Sequence, residues 1–185
     1  QRRHFDAAYS WYVKALAINE KLGNEDATAI AYHQLGSVTL EQKNLDAAHG
    51  FYVKSLAISE KQGNEQRAAS TYHQLGRVAK ERDDLEEAEK FYLKSVSIKE
   101  TQGNEYDAAL TYDRLGILAS VRDDFEGAAS WLLRAAQTFS RCQDAGRTGM
   151  ATRQFQLLLS RAPAALQPRL QSTWREAGLP LPDSA

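Results

Sequence analysis

Apolar side chains recur at spacings of three and four from the start of the chain. In residues 5–22, Ala8, Trp11, Tyr12, Ala15, Leu16 and Ile18 form the stripe of an amphipathic helix. The stripe stops at Gly23, the residue type that most cheaply takes the left-handed conformation past a helix end. Asn24 then offers an N-cap oxygen, and Glu25 puts negative charge at the positive end of the next helix. Gly63-Asn64-Glu65 and Gly103-Asn104-Glu105 repeat this stop-and-start signal. A second break falls about 20 residues after each first helix begins, at Lys43-Asn44-Leu45, Asp83-Asp84-Leu85 and Asp123-Asp124-Phe125. Asn44, Asp84 and Asp124 are N-cap types, and Asp84 with Glu87 has the spacing of a capping box. No segment alternates with the period of two that marks a strand. The pattern predicts helices over 5–22, 25–41, 44–62, 65–81, 84–102, 105–121, 124–142 and 145–161, with a weaker one near 165–177.

These helices come in copies. Tyr32-His33-Gln34-Leu35-Gly36 returns as Tyr72-His73-Gln74-Leu75-Gly76 and, altered, as Tyr112-Asp113-Arg114-Leu115-Gly116, 40 residues apart each time. A fixed interval of that size means one helical pair stacked repeatedly, each copy burying the face its neighbour leaves open. The predicted array runs through 1–185: the second helix of a truncated repeat (1–23), repeats at 24–63, 64–103 and 104–143, and a degenerate capping repeat and tail (144–185). In the last unit Asp144-Ala145 stand at the cap and Phe155-Gln156 replace Leu-Gly. Pro163 and Pro168 suit a turn and a helix start, and Gly178-Leu179-Pro180-Leu181-Pro182 cannot continue a helix. Residues 5–22 align with a second helix, and the only methionine is Met150, so the chain is expected to be part of something longer. Its uncapped first helix is expected to promote self-association.

The repeated residues resemble the tetratricopeptide repeat family: Tyr followed by Leu-Gly in the first helix, Ala followed by Tyr in the second. With units counted from Ala29, Ala69 and Ala109, the aromatic position four is Tyr32, Tyr72 and Tyr112. Position twenty is Ala48, Ala88 and Ala128, and position twenty-four is Tyr52, Tyr92 and Leu132. The glycines and alanines sit where two backbones must approach, and a mid-helix glycine costs about 0.5–1 kcal/mol, so three in register imply a packing gain. Units of 40 residues exceed the common length of about 34 and carry Glu60 and Glu100 where proline usually closes the repeat. Long units of this kind are similar to those of kinesin light chain, Pins-type modulators, bacterial Rap-type receptors and regulatory ATPases. The resemblance implies an all-α fold, an α-solenoid wound as a right-handed superhelix, with a degenerate C-terminal capping helix pair.

It also implies a concave groove lined by first helices. Carried over by position, the groove face holds Ile30, His33, Gln34, Ser37, Leu40 and Glu41 in the first full unit. Ser70, His73, Gln74, Arg77, Lys80 and Glu81 follow in the second, and Leu110, Asp113, Arg114, Ile117, Ser120 and Val121 in the third. The degenerate helix adds Met150, Arg153, Gln154 and Leu157. Stacked Gln34 and Gln74 can both donate to and accept from a ligand backbone. Arg77, Lys80, Arg114 and Arg153 make a cationic run that fits an acidic ligand; it equally fits arginines that are merely solvated. The family's carboxylate clamp needs Lys and Asn where this chain has His33 with Ser37 and His73 with Arg77, so a chaperone-tail ligand is not expected.

Composition narrows the rest. Lys and Arg number 23 against 24 Asp and Glu, which gives no electrostatic case for nucleic acid or an anionic membrane. No apolar run approaches the roughly 18 residues of a membrane span. One cysteine, Cys142, precludes an internal disulfide and suits a reducing cytoplasm. It lies near a helix end without the N-terminal dipole that activates a thiol. His33 and His73 lie on successive first helices, whose axes stay roughly 8–10 Å apart even in contact, too far for a shared metal bound at about 2 Å. The doublets Trp11-Tyr12, Phe51-Tyr52 and Phe91-Tyr92 are expected in the core rather than as base-stacking platforms. The sequence therefore predicts a non-enzymatic, cytoplasmic protein without cofactor or metal, binding a protein or peptide in its groove. The alternative is the sensor or autoinhibitory arm of a larger signalling protein, such as a regulatory ATPase or protease.

Overall fold

The computed structural model describes residues 2–179, with side chains from Phe5 onward, so the predicted break at Pro180–Pro182 lies outside the described residues. Among them there are helices and turns only. In chain order these are α1 (Arg2–Lys21), α2 (Glu25–Glu41), α3 (Leu45–Lys61), α4 (Glu65–Glu81), α5 (Leu85–Thr101), α6 (Glu105–Val121), α7 (Phe125–Arg141), α8 (Ala145–Arg161) and α9 (Gln167–Glu176). The fold class is an all-α repeat solenoid, and no helix among the described residues is long and apolar enough to cross a membrane.

The caps work as the pattern predicts. Asn24, Asn44, Asn64 and Asn104 each accept the backbone N–H three residues on, at 3.1, 3.2, 3.0 and 3.3 Å. Asp84, Asp124 and Asp144 do the same at 3.0, 3.0 and 2.9 Å. Asp84's own amide is already spent on the Ala79 carbonyl at 2.9 Å, which removes the need for the second half of a capping box. Turns between units place Gly23, Gly63 and Gly103 at φ 65°, 64° and 66°. Turns within units use the same left-handed geometry without glycine, at Lys43, Asp83 and Asp123 (φ 60°, 63° and 57°).

The chain divides into two compact units, residues 1–98 and 99–185. In unit 1, Leu40, Ala48, Tyr52, Ala68, Tyr72, Leu75 and Val78 form a buried cluster flanked by Leu45, Leu56, Phe91 and Ile98. A Cβ on Gly36 would meet the Tyr52 ring at 2.7 Å, and one on Gly76 the Tyr92 ring at 2.6 Å. The glycines thus admit a flat ring from the paired helix. Ser55 and Ser95, both buried, donate to the Ala29 and Ala69 carbonyls at 2.8 Å, tying each second helix to the first helix of its own pair. One expectation fails here: Trp11 is 71% and Ile18 59% exposed, so the stripe of α1 is not core along its whole length. Phe51 and Phe91 pack on Tyr32 and Tyr72 at 6.2 and 6.1 Å. Trp11 has no such ring stacked on it among the described residues and carries only Lys14 above its face.

Unit 2 repeats the plan with Leu132 against Gly116 and then closes it. Phe155 stacks on Trp174 at 4.0 Å, nearly parallel, and Leu158, Leu170 and Trp174 join Leu132 in one buried cluster. Helix α9 starts without a side-chain cap but has Pro168 in its first turn.

Candidate functional site

Each first helix spends a fixed set of positions on packing. Ala29, Ala69 and Ala109, Leu35, Leu75 and Leu115 are all at most 2% exposed, and Gly36, Gly76 and Gly116 are buried between them. Periodicity then leaves the residues just before and just after Leu-Gly half-buried, outside the packed core. In unit 1 these are His33, Gln34 and Ser37 on α2, and His73, Gln74, Arg77 and Lys80 on α4. Leu40, expected among them, is instead 3% exposed and belongs to the unit 1 core beside Ala48 and Tyr52.

Ser37, Arg77 and Glu81 of this face have internal partners. Ser37 Oγ donates to the His33 carbonyl at 3.1 Å and accepts from Tyr52 Oη at 3.1 Å. Arg77 donates to Gln74 Oε1 at 2.9 Å and to Glu41 at 3.3 Å. Glu81 is held by Lys43 at 2.8 Å, and that bond keeps its carboxyl below the usual range. His33 rests edge-on against Tyr52 at 5.3 Å, and its Nδ1 lies 3.1 Å from Thr71 Oγ1. Burial, and then the charge of Arg67, push the His33 pKa down, which keeps the ring neutral at pH 7. His73 packs against Tyr92 at 5.6 Å.

A cavity of about 310 Å³ opens between α2 and α4, with His33, Gln34, Ile30 and Ser70 among its lining residues. Four positions carried over from the repeat pattern thus share one cavity. Asn64 and Arg67 line it as well, and Arg67 is ion-paired with Asp26. Neither was predicted for the site: Asn64 reads in sequence as a helix cap, and Arg67 as a charge in a helix's first turn. A second cavity in unit 1, about 550 Å³, lies among Glu60, Tyr72, Lys94 and Ile98 and is lined by none of the predicted groove residues.

The face is more apolar in unit 2. Val121, Met150 and Leu157 are 49%, 55% and 59% exposed at positions the repeat assigns to the groove, and Ile117 is half-buried. Arg114 lies 3.9 Å from its neighbour Asp113, and Arg153 is exposed. Cys142 is exposed at the C-terminal cap of α7.

Family comparison matches two tetratricopeptide repeat models, over residues 1–61 and 69–102. No curated protein matches the chain. Among solved structures, BtubC (BKLC) from P. vanneervenii superposes with a TM-score of 0.71 at 21% identity, covering 98% of this chain and 78% of that one. A putative kinesin light chain from Podosopora anserina, described as having nearly identical TPR-like repeats, gives 0.75 at 13% identity, covering 96% and 88%. At such identities the likeness is one of fold.

Proposed function

The chain belongs to the tetratricopeptide repeat family, whose repeats serve protein–protein interaction, and from that premise we propose that its first-helix face captures an extended peptide or a partner helix. One observation carries the reading. In unit 1 the side chains that packing leaves over, His33 and Gln34 of α2 with Ser70 of α4, line one cavity of about 310 Å³. Gln34 supplies an amide that can pair with a peptide bond in either sense, and Gln74 supplies another on α4, its Oε1 shared with Arg77. An extended chain has unpaired N–H and C=O groups along its length, and stacked amides meet that need without demanding one sequence.

Charge adds a preference within the same reading. Arg114, Arg153 and Lys80 favour an acidic ligand, whereas Arg77 is engaged by Glu41 and adds little unless the ligand displaces it. The exposed Trp11 and Ile18 of α1, with Leu22 in the turn that follows it, supply an apolar face for self-association at high concentration.

The test is an array of randomised ten-residue peptides probed with the full chain, its Gln34→Ala/Gln74→Ala variant, and Lys90→Ala on the exposed face of α5 as control. Retention should fall about tenfold or more for the double glutamine variant and hold for the control. Equal retention by all three sinks the proposal.

A further inference from the structure

The unit 1 cavity has a chemistry narrower than backbone capture. Its lining residues include no carboxylate, so a cationic side chain entering it meets no counter-charge. Its one cation, Arg67, has a side chain only 14% exposed and is engaged by Asp26 and by Gln62 Oε1 at 3.3 Å. An anionic side chain must break that arrangement to be neutralised. Either charged class therefore enters at the cost of desolvation without a free partner.

His33 supplies the selective atom. Thr71 Oγ1 donates its single hydrogen to the Arg67 carbonyl at 2.9 Å. Its 3.1 Å contact with His33 Nδ1 is then one in which the imidazole N–H donates. That fixes the tautomer: Nδ1 carries the proton, and Nε2 is left as a bare acceptor. Burial and the nearby Arg67 keep the ring neutral, so the acceptor persists at pH 7.

Resting on the groove reading, the geometry points to a subsite in unit 1 for the uncharged amide side chain, Asn or Gln, of the bound peptide. Its N–H₂ donates to His33 Nε2, and its carbonyl accepts from the side-chain amides of Gln34 and Gln66, which line the same cavity. Ile30, 46% exposed at the cavity edge, covers the aliphatic stem. A carboxylate only accepts, and a hydroxyl donates and accepts through one atom, whereas an amide carries its donor and its acceptor on two separate atoms, as this pairing requires. Thr71 is a positioning residue, because it acts through the tautomer of His33.

Positional pools decide it. Ten-residue peptides are arrayed with one central residue fixed and the others randomised, and probed at pH 7.5 with the full chain in a Lys80→Ala/Arg114→Ala/Arg153→Ala background, which removes from the comparison the cations that lie outside the cavity. The Asn- and Gln-fixed pools should be retained about 5- to 10-fold above the Asp, Glu, Lys and Leu pools, the range of one good hydrogen bond. Thr71→Val should erase that preference while leaving total retention in place, and Thr71→Ser should restore it. Should Thr71→Val melt early, His33→Ala gives the same readout. Highest retention of the Asp and Glu pools overturns the subsite in favour of an anion site. Equal retention of every pool overturns the subsite and leaves the groove standing. Retention of no pool overturns both.

Discussion

Tyr112 donates its phenol hydrogen to Glu100 at 2.6 Å, across the turn that joins one helical pair to the next. Arg134 closes the set: its guanidinium bonds to both the Tyr112 hydroxyl, at 2.9 Å, and the Glu100 carboxylate, and lies over the tyrosine ring. The same three positions recur as Glu20, Tyr32 and Lys54, with a 2.7 Å hydrogen bond and the ammonium 5.2 Å from the ring centre. They recur again as Glu60, Tyr72 and Lys94. The glutamate that stands in place of a closing proline thus anchors the aromatic of the following unit. Replacing Tyr112 with Phe should cost about 1 kcal/mol, because it removes one hydrogen bond from the Glu100 carboxylate, which keeps Arg134, and one from Arg134 itself. Urea denaturation measures this; an unchanged midpoint would count against the anchor.

These tyrosines also set an alkaline limit. The Glu20 hydrogen bond and then burial push Tyr32 up to about 12 from 10.0, and burial followed by the Glu60 and Glu100 hydrogen bonds pushes Tyr72 and Tyr112 up to the same value. A phenol with a raised folded pKa contributes stability that is complete below pH 10 and lost as pH climbs toward 12. Denaturation midpoints should therefore fall across that window, and the Phe substitutions should flatten the fall.

Two glycines in neighbouring helices should respond oppositely to alanine. A methyl at Gly76 meets the Tyr92 ring at 2.6 Å, whereas at Gly50 nothing lies within 4 Å. Gly50→Ala should stabilise by about 0.5–1 kcal/mol through helix propensity alone. In Gly76→Ala that gain is outweighed by overpacking of about 1–3 kcal/mol. Thermal melts of the two variants would show the split, and a stabilised Gly76→Ala would mean that the ring yields.

Periodicity made the pairs and their caps legible, because Gly-Asn-Glu states a helix end and a helix start in three adjacent residues. The cavity was half legible. His33 and Gln34 follow from their register beside Leu-Gly, but Arg67 and Thr71 reach them from the next first helix, a relation that has no local signature. Leu40 was misplaced because repeat position alone does not say how far a side chain turns toward the core. Trp11 was misplaced because an apolar stripe shows what a helix can bury, and only its neighbours decide what it does bury.

Gln143 stands where Gly63 and Gly103 stand in earlier units, yet it takes the same left-handed geometry at φ 59°. A side chain there crowds its own backbone at roughly 1–2 kcal/mol, partly offset by the extra unfolded-state freedom that glycine brings. Gln143→Gly should stabilise unit 2 by about 0.5–1 kcal/mol, visible as a higher urea midpoint. No change would mean the crowding is relieved locally.

Lys99 gives the clearest pH test. It is 5% exposed and donates to the Asp107 carbonyl at 3.1 Å and to Thr111 Oγ1 at 3.0 Å. Ser59 holds the corresponding place 40 residues earlier. Burial draws the ammonium down to about 8 from 10.5, against the opposing pull of Asp107. Between those values the unfolded chain holds a proton that the folded chain has released, so stability rises with pH across about 8 to 10.5. The rise should be roughly 1–3 kcal/mol, at about 1.4 kcal/mol for each pKa unit. Lys99→Met keeps the volume, leaves Thr111 bonded to the Asp107 carbonyl at 3.3 Å, and should abolish the rise while matching or exceeding the parent at pH 7. Urea midpoints from pH 7 to 10 separate the outcomes. A parent that loses stability through this window, or a Lys99→Met profile that still climbs, would place the titrating group elsewhere.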